Sequence, residues 1–212
     1  MKKFGFTLAE VLITLGVIGV VSALTIPALI NNTTESQIGP KLAKAASAFE
    51  QANKSLLANE EVDSLTDARV LDTVDGYFDE LSKYLKVSEA RSDWYATKEG
   101  IVYNVTTVEL DSETLDSPAD QQKIGIVGIC LDSTILEGNL KPGYNTFYFS
   151  WWNDGSLRPV GGTNWNGLET SAKGAAEHWM TKCPVGKFPA SNNDYQYCTG
   201  HIFENNLKVL YK

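Results

Sequence analysis

A long apolar run opens the chain, directly after a leader that carries two lysines. Positions Phe6–Ile30 hold 25 residues with Glu10 as the only charge. As an α-helix this run would be about 37 Å long, which is enough to cross a bilayer with some tilt. Because Lys2 and Lys3 precede the run and no basic residue follows before Lys41, the positive-inside rule predicts a cytoplasmic N-terminus and an extracytoplasmic remainder.

An apolar stripe with spacings of three and four residues comes next, and it predicts an amphipathic helix from about Lys41 to Asn59. Its members are Ile38, Leu42, Ala45, Phe49, Ala52 and Leu56. The pair Gly39-Pro40 stands at the start of the stripe, and a proline inside a helix removes a backbone donor and clashes with the preceding turn. We therefore expect a kink or a break in the helix at this pair.

Beyond this stripe, the pattern predicts two shorter helices and an exposed loop. One helix is expected over Leu65–Leu85, where Ser64 and Asp67 suit an N-terminal cap. The other helix is expected over Glu169–Met180, before a mixed tail. The segment Asp111–Lys123 is acidic and interrupted by a proline, so we expect it to form an exposed loop.

Strand-like runs alternate with these segments. Strands are predicted at Ile101–Val108, Ile124–Leu131 and Asn145–Trp152. A turn signal, Asn153-Asp154-Gly155, follows the last of them and leads into the run Ser156–Val160, which indicates a hairpin. Helices combined with a small antiparallel sheet give an α+β fold class.

The charge balance narrows the function classes. Lys and Arg total 18 against 26 Asp and Glu, so the formal net charge is −8. A chain without a basic surplus is poorly suited to nucleic acid as its main partner, because it can displace few phosphate counterions. Three cysteines with no C-x-x-C pair also disfavour a zinc ribbon or an iron–sulfur centre. The sequence contains no serine-hydrolase, zinc-protease or phosphate-loop motif, so we expect no enzymatic activity.

Glu10 is the one residue that the apolar run does not explain. A carboxylate within a spanning segment is costly and is rarely kept without a partner. If the chain is cut after Gly5, Phe6 carries a new ammonium group and Glu10 lies about one helical turn from it. Between chains that pack in apolar surroundings, such a pair would set the axial stagger of the helices.

The hexapeptide GFTLAE at positions 5–10, between a lysine-containing leader and an apolar stretch, resembles the N-terminal signature of type IV pilins and type II secretion pseudopilins. In that family a membrane aspartyl peptidase cuts after the glycine and methylates the new N-terminal phenylalanine. The glutamate five residues into the processed chain guides filament assembly. Gly5, Phe6 and Glu10 match these positions, and Pro27 lies where the family often has a helix-kinking proline.

The resemblance implies a pilin-like fold, in which a long N-terminal hydrophobic helix packs into a C-terminal head with a small antiparallel sheet. It divides the chain into a leader at 1–5, a transmembrane and filament-core helix at 6–30 and an extracytoplasmic head at 31–212. The implied function is that of a structural subunit, major or minor, of a type IV pilus or a type II secretion pseudopilus.

The same resemblance implies the partners and the location. The partners are the prepilin peptidase and methyltransferase, other pilin or pseudopilin subunits that pack through their helices, and an assembly platform in the inner membrane. The chain would first cross the inner membrane once, with its N-terminus in the cytoplasm, and then join an extracytoplasmic pilus or pseudopilus.

An alternative interpretation uses the same residues. The two leader lysines, the apolar centre and Val21–Ala23 also resemble a secretory signal, which would release a soluble chain that begins near Leu24. Adjacent side chains of a strand point to opposite faces, so Trp151 and Trp152 are expected either to divide between core and surface or both to be buried. An exposed tryptophan beside Trp165 would suit a membrane-anchored or secreted binding module that stacks on sugar rings or grips a partner protein.

The extracytoplasmic location favours a disulfide between Cys183 and Cys198. The two enclose 14 residues, two of them prolines, and a bond across a loop of this size contributes about 3 kcal/mol. The pair also resembles the C-terminal disulfide loop of many pilins. Cys130 lies in an apolar run and is expected to be a buried thiol. A bond from Cys130 to one of the other two cysteines is the alternative.

Metal-ligating patterns are weak. Four residues could supply oxygen ligands to calcium, which the major secretion pseudopilins bind in a nearby loop: Asp132, Glu137, Asn139 and Asn145. Their spacing matches no calcium loop, so an ordinary polar connection is the simpler interpretation, and no resident cofactor is expected. His178 and His201, the two histidines, each lie near a cysteine, but their spacing favours packing or surface roles over a metal site.

Overall fold

The computed structural model describes residues 7–67, 80–91, 94–107, 122–132, 143, 145–161, 183 and 197–209. For residues 27–35, 91 and 106–107 it describes the backbone alone. The chain divides into two compact units, Met1–Gln37 and Ile38–Lys212. Most of the predicted second helix, the predicted helix over Glu169–Met180 and the predicted loop up to position 121 lie outside the described residues.

One long helix, α1, extends from Leu8 to Glu60. It includes the predicted amphipathic helix, which is thereby confirmed. The break that the sequence predicts at Gly39-Pro40 is absent, because both residues are helical. A proline in a helix interior costs about 3 kcal/mol. Each large apolar side chain buried along the stripe contributes about 1.5–3 kcal/mol, so the buried stripe outweighs that cost.

In the first unit, the described residues of α1 leave their apolar side chains uncovered. The segment Leu8–Ile26 is 19 residues long, has a mean hydropathy of 2.2 and is not buried in the isolated chain. Leu8 and Leu24 are 77% and 74% exposed. A core helix of a soluble protein buries such side chains. By length and composition, this segment is therefore suited to crossing a membrane.

Among the described residues, the second unit contains a six-stranded antiparallel sheet whose strands follow one another in chain order. The strands are β1 (Val87–Arg91), β2 (Trp94–Thr97), β3 (Val102–Thr107), β4 (Lys123–Cys130), β5 (Thr146–Trp152) and β6 (Leu157–Pro159). Strands β3, β4 and β5 and the β5–β6 hairpin confirm the sequence predictions. The sequence does not predict β1 and β2, because both are short and β1 mixes charged with apolar positions. A short helix, α2, follows at Cys198–Glu204 in the predicted mixed tail.

One face of the sheet packs on the C-terminal part of α1, and the core lies between them. The ring of Phe49 lies 5.3 Å from that of Tyr103 and 6.1 Å from that of Trp151, measured between centroids. The hydroxyl of Tyr103 donates a hydrogen bond to the carbonyl oxygen of Ala45 at 3.0 Å. The fully enclosed side chains of this core include Leu42, Phe49, Leu56, Val127, Ile129, Phe147, Phe149 and Trp151.

Two polar residues of α1 fix the β5–β6 hairpin to the helix. The side-chain amide of Asn53, which is fully buried, donates to the carbonyl oxygen of Gly155 at 3.3 Å. The carboxylate of Glu50 accepts a hydrogen bond from the backbone N–H of Leu157 at 2.8 Å. Gly155 has φ +79°, which suits the predicted turn. The hairpin therefore has a defined position on α1 through directional bonds as well as apolar contact.

Candidate functional site

The described part of the N-terminal signature forms a helix cap. Both the backbone N–H and the hydroxyl of Thr7 donate to Oε2 of Glu10, each at 2.8 Å. The backbone N–H of Glu10 donates back to the Thr7 hydroxyl at 3.3 Å. This reciprocal arrangement is a capping box, which satisfies donors at the start of a helix that no carbonyl can reach. Gly5 and Phe6, the predicted cleavage and methylation residues, lie outside the described residues.

The cap leaves Glu10 able to bind a cation. Both donors of Thr7 reach Oε2, and Oε1 accepts no hydrogen bond from the described residues. The carboxylate is exposed in the isolated chain. A free carboxylate oxygen at the end of an apolar segment is a site for an ammonium group, and its affinity rises as water is removed.

Other polar side chains of the apolar segment are satisfied within the helix. The hydroxyls of Thr14 and Thr25 donate to the backbone carbonyls of Val11 and Val21, each at 2.9 Å. Neither hydroxyl therefore needs a partner outside the helix. Pro27, the predicted kink residue, lies inside α1 at a position where the backbone alone is described. Within the described segment Leu8–Ile26, Glu10 is thus the one ionisable group.

The disulfide between Cys183 and Cys198 is present, and both cysteines are fully buried. Nδ1 of His201 donates a hydrogen bond to the carbonyl oxygen of Cys183 at 2.8 Å. Burial lowers the pKa of His201, and this hydrogen bond opposes the shift in part. His201 therefore has a packing role beside the disulfide, as its sequence context predicts, while His178 lies outside the described residues.

The disulfide and α2 are joined to the sheet by backbone contacts. The backbone N–H of Tyr148 on β5 donates to the hydroxyl of Thr199 at 2.9 Å. The backbone N–H of Gly200 donates to the carbonyl oxygen of Val160 at 2.9 Å. The Cys183–Cys198 disulfide thus stabilises α2, which is itself hydrogen-bonded to β5 and to Val160.

Cys130 is a free, fully buried thiol, as predicted. Its sulfur lies 3.5 Å from the hydroxyl of Thr146. Burial raises the pKa of Cys130 to about 12, so the reactive thiolate is scarce at neutral pH. The thiol is therefore inert, and the predicted alternative pairing to Cys183 or Cys198 is wrong.

Two of the four predicted calcium ligands, Asp132 and Asn145, lie among the described residues, and the backbone N–H of Leu131 donates to the carbonyl oxygen of Asn145 at 2.9 Å. Asp132 is exposed after β4, and Oδ1 of Asn145 accepts a hydrogen bond from Thr146 at 3.1 Å. Glu137 and Asn139 lie outside the described residues. In the part of the chain that the structure describes, no group of three His, Cys, Asp or Glu side chains is placed to hold a metal ion. Calcium binding stays a prediction.

Trp151 and Trp152 are both buried, which confirms the expected burial of the pair and not its division between core and surface. Trp151 faces α1, whereas Trp152 lies on the opposite face of the sheet and is 1% exposed. The guanidinium carbon of Arg158 lies 3.9 Å from the centroid of the Trp152 ring, and the indole N–H donates to Ser150 at 3.0 Å. These contacts satisfy Trp152 internally. Trp165 lies outside the described residues.

A feature that sequence reasoning missed is an open cavity of about 690 Å³ in the second unit. It lies between α1 and the start of β3, and four lysines stand among its lining residues: Lys41, Lys44, Lys83 and Lys86. We call it the lysine groove. Lys41 and Lys44 are three residues apart, a spacing that indicates a basic edge on the helix. Their proximity to Lys83 and Lys86 depends on tertiary contacts, which the sequence does not reveal.

Comparison of the chain with family models, with curated proteins and with solved structures finds no match.

Proposed function

We propose that this chain is a structural subunit, major or minor, of a type IV pilus or a type II secretion pseudopilus. The observation that carries the proposal is the exposed apolar segment Leu8–Ile26, in which Glu10 is the one charged residue. The hexapeptide at 5–10 places a peptidase signature directly before this segment. A chain with this arrangement is suited first to anchoring in the inner membrane and then to helix packing in a filament.

Processing would supply the partner that Glu10 needs. A cut after Gly5 removes two lysines and leaves a cationic amine on Phe6, which stays cationic when it is methylated once. The processed chain then has 16 basic against 26 acidic residues, a net charge of −10. The amine of one subunit and the Glu10 carboxylate of a neighbour would attract each other strongly in surroundings without water.

The capping geometry supports a role for Glu10 in setting the axial stagger between the packed helices of neighbouring subunits. Thr7 holds one carboxylate oxygen, so the side chain has a defined direction, and the other oxygen is available to an incoming amine. A subunit that packs one turn out of step would leave a carboxylate unpaired in apolar surroundings, which costs several kcal/mol. This penalty selects one axial position for each helix.

The exposed apolar side chains of the first unit are covered both in the membrane-anchored subunit and in the filament. Lipid tails cover them while the subunit is anchored, and neighbouring helices cover them in the filament. The threonine hydroxyls of the segment are satisfied within α1, so the transfer exposes no further unpaired polar group. Glu10 is then the residue whose state must change during assembly.

The test is the chemical identity of the mature N-terminus. The full-length chain is expressed with a prepilin peptidase, purified from membranes and analysed by intact mass and N-terminal sequencing. We expect N-methylated Phe6 as the first residue, and Gly5→Leu should block the cut. The matched control Gly16→Leu places the same side chain where an added Cβ meets no atom within 4 Å, and it should be processed normally.

Two results would contradict the proposal. A mature chain that begins at Leu24 would show secretion through the signal-peptide route. A functional chain that keeps residues 1–5 would show that no new amine is made for Glu10.

A further inference from the structure

The lysine groove has an apolar floor beneath its charged rim. One wall is α1, which contributes lining residues from Lys41 to Ser55, a length of about 21 Å at 1.5 Å per residue. The opposite wall comes from the turn before β1 and from the chain around β2 and β3. The floor consists of small or apolar side chains: Ala45, Ala48, Ala52, Leu85, Ile101 and Leu131.

The rim carries more positive charge than its neighbours neutralise. Lys44 pairs with Glu99 at 2.7 Å, but both side chains are largely exposed, at 72% and 60%, so this bridge is weak. Lys83 pairs with Glu80. Lys41 and Lys86 form no ion pair with the described residues. Glu99 is the single acidic residue among the described lining residues, so the groove is cationic on a chain whose net charge is −8.

The cationic rim and the apolar floor together indicate what kind of ligand the groove can bind. Unpaired ammonium groups around an open cavity attract carboxylates, and the apolar floor adds binding energy for an uncharged side chain between them. A groove about 21 Å long accepts roughly six residues of extended chain at 3.4 Å per residue. An acidic peptide segment with an apolar residue near its middle matches these requirements.

We propose that the lysine groove binds the acidic segment 111–120 of a second copy of this chain; this inference rests on the proposed function as a filament subunit. The segment has the sequence DSETLDSPAD, with four acidic residues, no basic residue and Leu115 near its middle. Its first six residues, 111–116, match the length of the groove and include three of the four carboxylates. The segment itself lies outside the described residues.

The topology favours a contact between copies over a contact within one chain. The segment joins the end of β3 to the start of β4. The groove touches the other end of this strand pair, at Ile101 before β3 and Leu131 after β4. The strand between them spans about 20 Å at 3.4 Å per residue. The described residues that flank the segment, Thr107 and Lys123, therefore lie at the end of the strand pair opposite to the groove. A contact that joins opposite ends of identical subunits is heterologous, and it builds an open polymer where its rotation does not close a ring.

The same contact offsets the repulsion between subunits. Processed copies that each carry −10 repel one another when they are packed side by side. A cationic groove that receives carboxylates of segment 111–120 replaces part of this repulsion with attraction. Because the charges involved are exposed, the contact should weaken as salt rises.

The test uses the full-length chain in its membrane, with a photoreactive residue in the groove. Gln51 lines the groove and is exposed, so Gln51→benzoylphenylalanine reports the occupant with little change to the core. We expect a light-dependent adduct of twice the chain mass, and mass spectrometry should locate the link in segment 111–120. The double change Lys41→Glu with Lys86→Glu should lower the adduct yield at least tenfold.

The matched control reverses two lysines outside the groove. Lys54 and Lys208 are exposed and do not line the cavity, so Lys54→Glu with Lys208→Glu changes the net charge equally and should leave the yield unchanged. Neutralising the four carboxylates of segment 111–120 to amides should reduce the yield as the groove variant does. Raising the salt from 0.05 to 0.5 M, in isolated membranes, should reduce it as well.

Three outcomes would overturn the inference: an adduct with a different protein, a link within one chain, or no adduct at all. Sheared filaments and the mature N-terminus are measured in the same cells. Filaments that begin at N-methylated Phe6 without a groove adduct would overturn the inference and leave the proposed function standing. A groove adduct between unprocessed chains would contradict the proposed function and support the contact.

Discussion

A Cβ atom at Gly39 would lie 1.9 Å from the carbonyl oxygen of Leu207. The absence of a side chain at Gly39 lets the segment after α2 pack directly against the backbone of α1. Asn206 and Leu207 both have positive φ, +55° and +60°, and the backbone N–H of Leu207 donates to the carbonyl oxygen of Ile202 at 2.9 Å. Gly39 contributes to the predicted helix break in the sequence analysis. In the fold it is instead the residue at which α1 contacts the backbone of Leu207.

Gly39→Ala should destabilise the protein. The methyl group has no room beside the carbonyl of Leu207, and overpacking of this kind costs about 1–3 kcal/mol. The better helix propensity of alanine returns about 0.5–1 kcal/mol, so a net loss remains. Urea unfolding of the full chain in detergent, followed by tryptophan fluorescence, measures the change. Gly16→Ala, where nothing lies within 4 Å, is the control and should not destabilise the second unit. Equal unfolding midpoints for both variants would contradict the packing argument.

Glu10→Ala should leave membrane insertion intact and impair filament assembly. The apolar segment becomes more hydrophobic, so anchoring is not weakened, but the partner for the amine of a neighbouring subunit is lost. Membrane fractionation and quantification of sheared filaments measure the two effects separately. Thr14→Ala is the control, because its hydroxyl is satisfied within α1. Normal filament yield from Glu10→Ala would count against Glu10 as the residue that sets the stagger.

Removal of the disulfide by Cys183→Ala with Cys198→Ala should lower the free energy of unfolding by about 3 kcal/mol. The bond closes a separation of 15 residues and reaches α2, which is anchored to β5. Chemical unfolding with and without reductant measures the loss. Reductant should destabilise the native chain and leave the double variant unchanged, since Cys130 forms no disulfide. A reductant effect of equal size on both proteins would show that the stabilisation has another source.

His201 should make the stability depend on pH in one direction. Burial lowers its pKa below the ordinary value of 6.5, so the unfolded chain takes up a proton before the folded chain does. The stabilisation is complete above pH 6.5 and is lost as the pH falls from there towards the folded-state pKa. The free energy of unfolding of the native chain and of His201→Gln is measured across this window. The native chain should show the steeper decline on acidification; parallel slopes would contradict the role of His201.

Several elements could be predicted because their signals are local. Short runs rich in apolar, β-branched and aromatic residues give β3, β4 and β5, and the Asp154-Gly155 signal gives the hairpin. The helical spacing from Ile38 to Leu56 gives the buried face of α1. Strands β1 and β2 carry no such signal, and they depend on pairing: β1 pairs with β2, and β2 pairs with β3.

Of the two candidate sites, one could be predicted from local sequence signals and the other could not. Glu10 stands out by sequence because one charge among apolar residues needs no fold to be noticed. The lysine groove does not stand out in the sequence, because Lys41 and Lys86 are 45 positions apart. Both line one cavity only after α1 packs against the sheet. The burial of Trp152 also depends on Arg158 and Ser150, which the hairpin brings to it.

By itself, the sequence determined the apolar anchor, the position of its one carboxylate and most of the strands, because span length, charge and residue period act between neighbours along the chain. The tertiary structure decided that α1 continues through Gly39-Pro40, that both tryptophans of β5 are buried and that four lysines converge on one cavity. Each of these outcomes depends on the free energy of contacts between distant segments, which outweighs the local preference of the residues concerned.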